Sequence, residues 1–146
     1  MAKCPLWGFE LDIAFETTLG GGTMTRILAA AAATGFEVRV FYVGLASADL
    51  HLERVRRRVD AGGHDIPEAD VRRRWRHSPM NLVRLLPVLT ELRVHDNSAA
   101  ADPAGGAPPR PVLLLHLDRG EIVGPPDLSR TPAWAKPIVA AALKLN

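Results

Sequence analysis

The period of the hydrophobic pattern changes several times along the chain, and each change marks an element. Leu11 to Phe15 is a short β-branched and aromatic run, which predicts a buried strand. Glycines 20–22 interrupt it. From Thr23 to Thr34 an alanine-rich stretch predicts a helix, and Gly35 ends it by supplying a residue free to turn left-handed. Glu37 to Val43, EVRVFYV, then alternates and is rich in β-branched and aromatic residues, the pattern of a half-buried strand. Two strands flanking a helix in so few residues predict a parallel crossover unit.

Beyond this unit the spacing becomes helical. Ser47 can cap a helix whose Ala48, Leu52, Val55 and Val59 form one apolar stripe, and Gly62 and Gly63 stop it. Asp65, with Glu68 three residues later, has the form of a capping box for a following helix that buries Val71 and Trp75. Proline inside a helix costs about 3 kcal/mol, so Ser78 is expected to cap a fresh segment with Pro79 at its first position. Leu82, Leu85, Leu86 and Leu89 extend the apolar face.

Leu92 to His95 reads as another short strand, and the Gly/Pro-rich stretch from Asp102 to Pro111 as an exposed loop. Val112 to Leu117 and Glu121 to Val123, joined by Asp118, Arg119 and Gly120, predict a hairpin. A last helical segment begins at Thr131 and Pro132 and restarts at Pro137. No internal repeat is visible. The alternation of strands and helices makes this an α/β sheet protein, and 146 residues with 47% hydrophobic content suit one domain.

Composition changes this picture in two respects. The longest apolar runs, such as Ile27 to Ala33, are far too short for a membrane span, and Cys4, the only cysteine, rules out an internal disulfide, so a cytoplasmic protein without membrane partners is expected. The formal charge is only +2, but there are 15 arginines against three lysines, and nine of those arginines fall between His51 and Arg84. The charge is therefore local.

Three places can carry chemistry. Ligands of open parallel sheets bind at the carboxyl ends of strands, and Glu16, Thr17 and Thr18 stand at such an end. A carboxylate there suits sugar hydroxyls, and the glycines admit a close backbone approach; a polar turn with helix-capping threonines explains the same residues. The glycine run invites comparison with the phosphate-binding loop G-x-x-x-x-G-K-[ST], but none of Lys3, Lys136 or Lys144 follows a glycine in that register.

The arginine clusters 54–58 and 72–76 flank the GGHDIPEAD loop. Arg58 and Arg74 each lie three residues beyond an apolar-stripe position, and their guanidinium forks suit polyphosphate. A solvated helix face is the alternative. Nucleic-acid binding is not expected, because acids are interspersed and Trp75 is the sole nearby aromatic platform. No histidine pair has metal-ligand spacing, so no metal site is expected.

The segments FETTLGG (15–21), VRVFYVGLAS (38–47), RRVDAGGHDIPEADVRRRW (57–75), NLVRLLPVLTELRVHDNS (81–98) and TPAWAKPIVAAAL (131–143) together resemble the bacterial zeta toxin family of P-loop kinases, in its toxin-like ATPase branch. The resemblance runs from about Ile13 over nearly all that follows. It implies a P-loop NTPase-type parallel sheet flanked by helices, with a C-terminal β-hairpin and helix, and an ATP- and Mg²⁺-dependent phosphotransferase acting on a UDP-linked amino sugar. It further implies that Glu16 and Thr18 touch the nucleotide-sugar substrate, that Arg58 and Arg74 contact the transferred phosphate as catalytic residues, and that Asp96 and Asn97 lie near the adenine. An antitoxin-like partner is the protein partner it suggests.

The sequence departs from that family where ATP would bind. The family begins with a strand, a Walker A loop and its helix, then a segment bearing the acidic general base, and none of these is found here. The chain reads as the C-terminal portion of such a kinase, inactive by itself or surviving as a non-catalytic binding module. In P-loop kinases the strand feeding Walker A lies between those matching Leu11–Phe15 and Val38–Val43. Without it two apolar strand edges are left unpaired, and marginal stability, re-pairing or association is expected.

Overall fold

A computed structural model describes residues 12–99 and 110–145. Helix α1 spans Gly22–Ala33, strand β1 Arg39–Gly44, helix α2 Ala48–Asp60 and helix α3 Glu68–Leu85. A short 3₁₀ turn, Leu86–Val88, leads into β2 (Glu91–Asp96); β3 (Val112–Asp118), β4 (Glu121–Gly124) and α4 (Lys136–Ala142) follow. The strands lie in the order β1-β2-β3-β4. β1 and β2 are parallel, while β2–β3 and β3–β4 are antiparallel.

The protein is thus α/β, but with a mixed four-stranded sheet in place of the expected parallel one. Arg119 and Gly120, with φ of 47° and 85°, form the tight two-residue turn of the expected β3–β4 hairpin, and the departure from a parallel sheet is that β3 also runs antiparallel to β2. The core lies between one face of this sheet and the helices. Leu92, Val94, Leu115 and Leu117 pack there with Leu82, Leu85 and Leu86 near the end of α3 and with Ile138, Val139 and Ala142 of α4, while Met24 and Leu28 of α1 cover them.

Several local expectations hold for the reasons given. The Ser47 hydroxyl accepts a hydrogen bond from the Leu50 N–H at 3.1 Å, capping α2. Gly35, at φ 93°, ends α1 by donating its N–H to the Ala32 carbonyl, and Gly62, at φ 90°, follows α2.

Three expectations fail. Residues 12–15 form no strand; Leu11 lies outside the described residues, and Ile13 and Phe15 are 68% and 52% exposed. A strand needs a partner for its backbone groups, and no described strand pairs with the outer edge of β1. Pro79 does not restart a helix, for α3 runs through it. Leu82 and Leu85, just beyond the proline, are 0% and 1% exposed. Burying two leucines contributes about 1.5–3 kcal/mol each, which outweighs a proline penalty of about 3 kcal/mol.

Asp65 does not cap α3; its carboxylate accepts the neighbouring Ile66 N–H at 2.8 Å, and the helix starts at Glu68 after an extended Pro67. The residue before a proline is driven out of the helical region, which forbids a helix beginning at Ile66. Of the expected loop 102–111, residues 102–109 lie outside the described part, and Arg110 and Pro111 are exposed.

Candidate functional site

The segment before α1 is irregular until Leu19, where it turns into the protein. Leu19 adopts φ 50°, is only 4% exposed, and joins the core. Its N–H donates to the Thr17 hydroxyl at 3.1 Å, and its carbonyl accepts from the buried Asn81 amide at 2.8 Å. A left-handed non-glycine residue costs about 1–2 kcal/mol, which burial of the leucine side chain offsets. At Gly20 a Cβ would lie 2.6 Å from Cγ of Arg74, so only glycine lets the loop settle onto α3. These contacts fix Thr17 and Thr18 at the rim of a cleft.

The cleft, of about 380 Å³, opens at the carboxyl end of β1. Tyr42 and Gly44 of that strand and Leu45 just beyond it form its floor with Trp134 from the segment before α4. One wall is the stripe His51, Val55 and Arg58 of α2, at i, i+4 and i+7; the other is Val71, Arg74, Trp75 and Ser78 of α3, at i, i+3, i+4 and i+7. A Cβ at Gly44 would overlap the Trp134 ring, so that glycine admits the indole. The Tyr42 and Trp134 rings are 6.1 Å apart at their centroids.

Hydrogen bonds hold the aromatic walls still. The Trp75 indole N–H donates to the Leu45 carbonyl at 3.0 Å, and the Tyr42 hydroxyl donates to Ser78 Oγ at 3.0 Å. Burial raises the Tyr42 pKa, and the bond to Ser78 counteracts part of that rise, so the phenol is protonated at neutral pH. The buried Trp134 indole N–H has no hydrogen-bond partner among the described residues.

The electrostatics of the cleft are one-sided, since none of its lining residues is acidic. Three other arginines of α2 and α3 are neutralised: Arg57 pairs with Glu53, Arg72 with Asp49 and Glu68 at 2.7 Å each, and Arg73 with Asp70 at 2.8 Å. Arg58 and Arg74 have no carboxylate partner among the described residues. The Arg58 guanidinium donates to the His64 carbonyl, at 3.2 Å, and its stem lies so close to Gly63 that a Cβ there would approach to 2.7 Å. Burial, and after it the charge of Arg54, lowers the His51 pKa below the usual histidine value. The cleft therefore presents two uncompensated cations, a neutral imidazole and aromatic surfaces.

Of the residues singled out by sequence as able to carry chemistry, Thr17, Thr18, Arg58 and Arg74 share this cleft. Glu16 is exposed on the same loop, two residues before Thr18, and is not part of the lining. Asn97 is half-buried beyond the end of β2 and also stands outside the lining. Its N–H donates to the Gly44 carbonyl at 3.0 Å and its carbonyl accepts from Arg54 at 2.5 Å, so it ties α2 to the sheet. Sequence reading missed His51, Tyr42, Ser78 and Trp134. For His51 a signal existed, because it lies one turn before Val55 and two before Arg58.

No protein-family model matches the sequence, and no solved structure matches it. An uncharacterised protein of Haemophilus influenzae is 35% identical over 66 residues, which are 45% of this chain and 47% of that protein. The match spans about half of the relative's length.

Proposed function

We propose that the chain carries the acceptor side of a small-molecule kinase of the zeta toxin type, and that its cleft binds a nucleotide sugar resembling UDP-N-acetylglucosamine. One observation supports this reading: Thr18, Arg58 and Arg74 line a single cleft that contains no acidic residue. Two guanidinium groups without carboxylate partners suit a diphosphate, and the aromatic walls suit a flat base or the apolar face of a sugar. Glu16, exposed on the loop that bears Thr18, is placed to meet sugar hydroxyls that project from the rim. On this reading the four-stranded sheet is part of a P-loop-type sheet, and an antitoxin-like protein is the expected partner.

The residues present do not make a seat for ATP and Mg²⁺. The sequence has no glycine loop leading into Lys-Ser or Lys-Thr. No carboxylate lines the cleft, and among the described residues no three His, Cys, Asp or Glu side chains are grouped to hold a metal. On this reading the chain acts as a binding module of kinase type.

Calorimetry tests this directly. UDP-N-acetylglucosamine should bind, and Arg58→Ala and Arg74→Ala should each weaken it about tenfold, since a hydrogen bond to a charged group contributes about 1.5–3 kcal/mol and the exposure of Arg58 puts it at the low end. Arg56→Ala, outside the cleft lining, should bind like the unaltered protein. Absence of binding by the unaltered chain sinks the reading; phosphorylation of the sugar by the purified chain would show that the missing loop is not required.

A further inference from the structure

Resting on the reading of the cleft as a nucleotide-sugar site, we infer that His51 is a specificity-determining residue, its imidazole exchanging a hydrogen bond with a hydroxyl or amide of the ligand while the arginines take the charge. The geometry separates the two tasks. His51 and Arg58 stand seven residues apart on one stripe of α2, about 10 Å along the helix axis. A group that touches Arg58 through a phosphate therefore meets His51 with a different part of itself.

The surroundings of His51 fit a reader of polar groups. It is in the first turns of α2, close to the carboxyl end of β1, where Gly44, Leu45 and Trp134 close the cleft. The ion pair of Arg72 with Asp49 fixes this end of α2 against α3. Arg54, its charged neighbour on α2, spends its hydrogen bonds on the Asn97 and Ala99 carbonyls. The neighbouring polar groups on the floor and far wall, Tyr42 and Trp75, have committed their hydrogens to Ser78 and Leu45. His51 is the one histidine in the lining, and a neutral imidazole offers one donor and one acceptor at once. A site that offers such a group discriminates against ligands lacking its complement, because a ligand that covers the half-buried imidazole without bonding it leaves a polar atom unpaired.

The test compares two probes on the full chain at pH 7.5: UDP-N-acetylglucosamine, and inorganic pyrophosphate as a ligand with charge but no hydroxyl or amide. His51→Leu should weaken the sugar nucleotide about five- to tenfold and change pyrophosphate affinity less than about twofold. His51→Asn, which retains a donor and an acceptor, should recover part of the loss. Equal weakening of both probes, or none of either, overturns the inference while leaving the cleft assignment standing. If neither probe binds the unaltered chain, the cleft assignment itself fails and this inference with it. Should His51→Leu lower stability, pyrophosphate binding reports whether the cleft is intact, and an intact cleft with unchanged sugar-nucleotide affinity refutes the proposal.

Discussion

Asn81→Ala is the substitution that best joins the fold to the site. Asn81 is 6% exposed on α3, and its side-chain amide donates to the Leu19 carbonyl at 2.8 Å. Removing it leaves that carbonyl buried without a donor, at about 1–3 kcal/mol, and empties the space of the amide group. Some relaxation is available, since Leu19 follows an irregular loop that can lift away from α3. The expected loss is therefore about 2 kcal/mol, or roughly 6 °C in Tm at the scaling of about 3 °C per kcal/mol for a domain of this size. Urea titration gives the free energy from the midpoint and slope, and thermal unfolding gives the shift. Lifting the loop also releases Thr17 and Thr18 from the rim, so UDP-N-acetylglucosamine should bind more weakly even well below Tm. A stability change under 0.5 kcal/mol with unchanged binding would mean that Asn81 does not hold the loop, and the account of how the rim is positioned would be wrong.

Gly44→Ala should destabilise the protein by about 1–3 kcal/mol, because the added methyl meets the Trp134 ring in a packed site; a shift in tryptophan fluorescence accompanying a lower Tm is the expected signature, and an unchanged Tm would contradict the packing described. The pH dependence of stability has a definite sign. Burial, followed by Arg54 for His51 and by Arg93 for His95, lowers both histidine pKa values. The unfolded chain then binds more protons than the native one as pH falls through the ordinary histidine range near 6.5, so stability present above that value is lost below it. Urea midpoints measured from pH 7.5 to 5 should fall, and His51→Asn combined with His95→Asn should flatten the slope; a midpoint that rises on acidification would refute the assignment.

Much of the fold was legible because its signals are local. A serine cap, a glycine at positive φ and an apolar stripe at helical spacing act over one or two turns, so α1, α2 and the β3–β4 hairpin follow from residues near one another in the chain. Pro79 was misjudged for the opposite reason: its cost is local, but the leucine burial that overcomes it depends on the sheet and on α4. The strand expected at Leu11 to Phe15 carries the right residue types, yet a strand exists only with a neighbour, and the described part of the chain supplies none there.

The candidate site divides along the same line. The sequence alone determined that Arg58 and Arg74 border apolar stripes and that two threonines precede a glycine run, because helix periodicity and turn chemistry are written in consecutive residues. Only the tertiary structure decided that these groups meet in one cleft, that Arg72 is paired with a carboxylate from the other helix while Arg58 and Arg74 face the cleft, and that His51 and Trp134 join them. Those outcomes depend on how α2 and α3 lean together over the end of β1, and on a tryptophan 90 residues beyond the glycine that admits it. Such distances in sequence leave no periodic trace, since burial and pairing are set by what arrives from elsewhere in the chain.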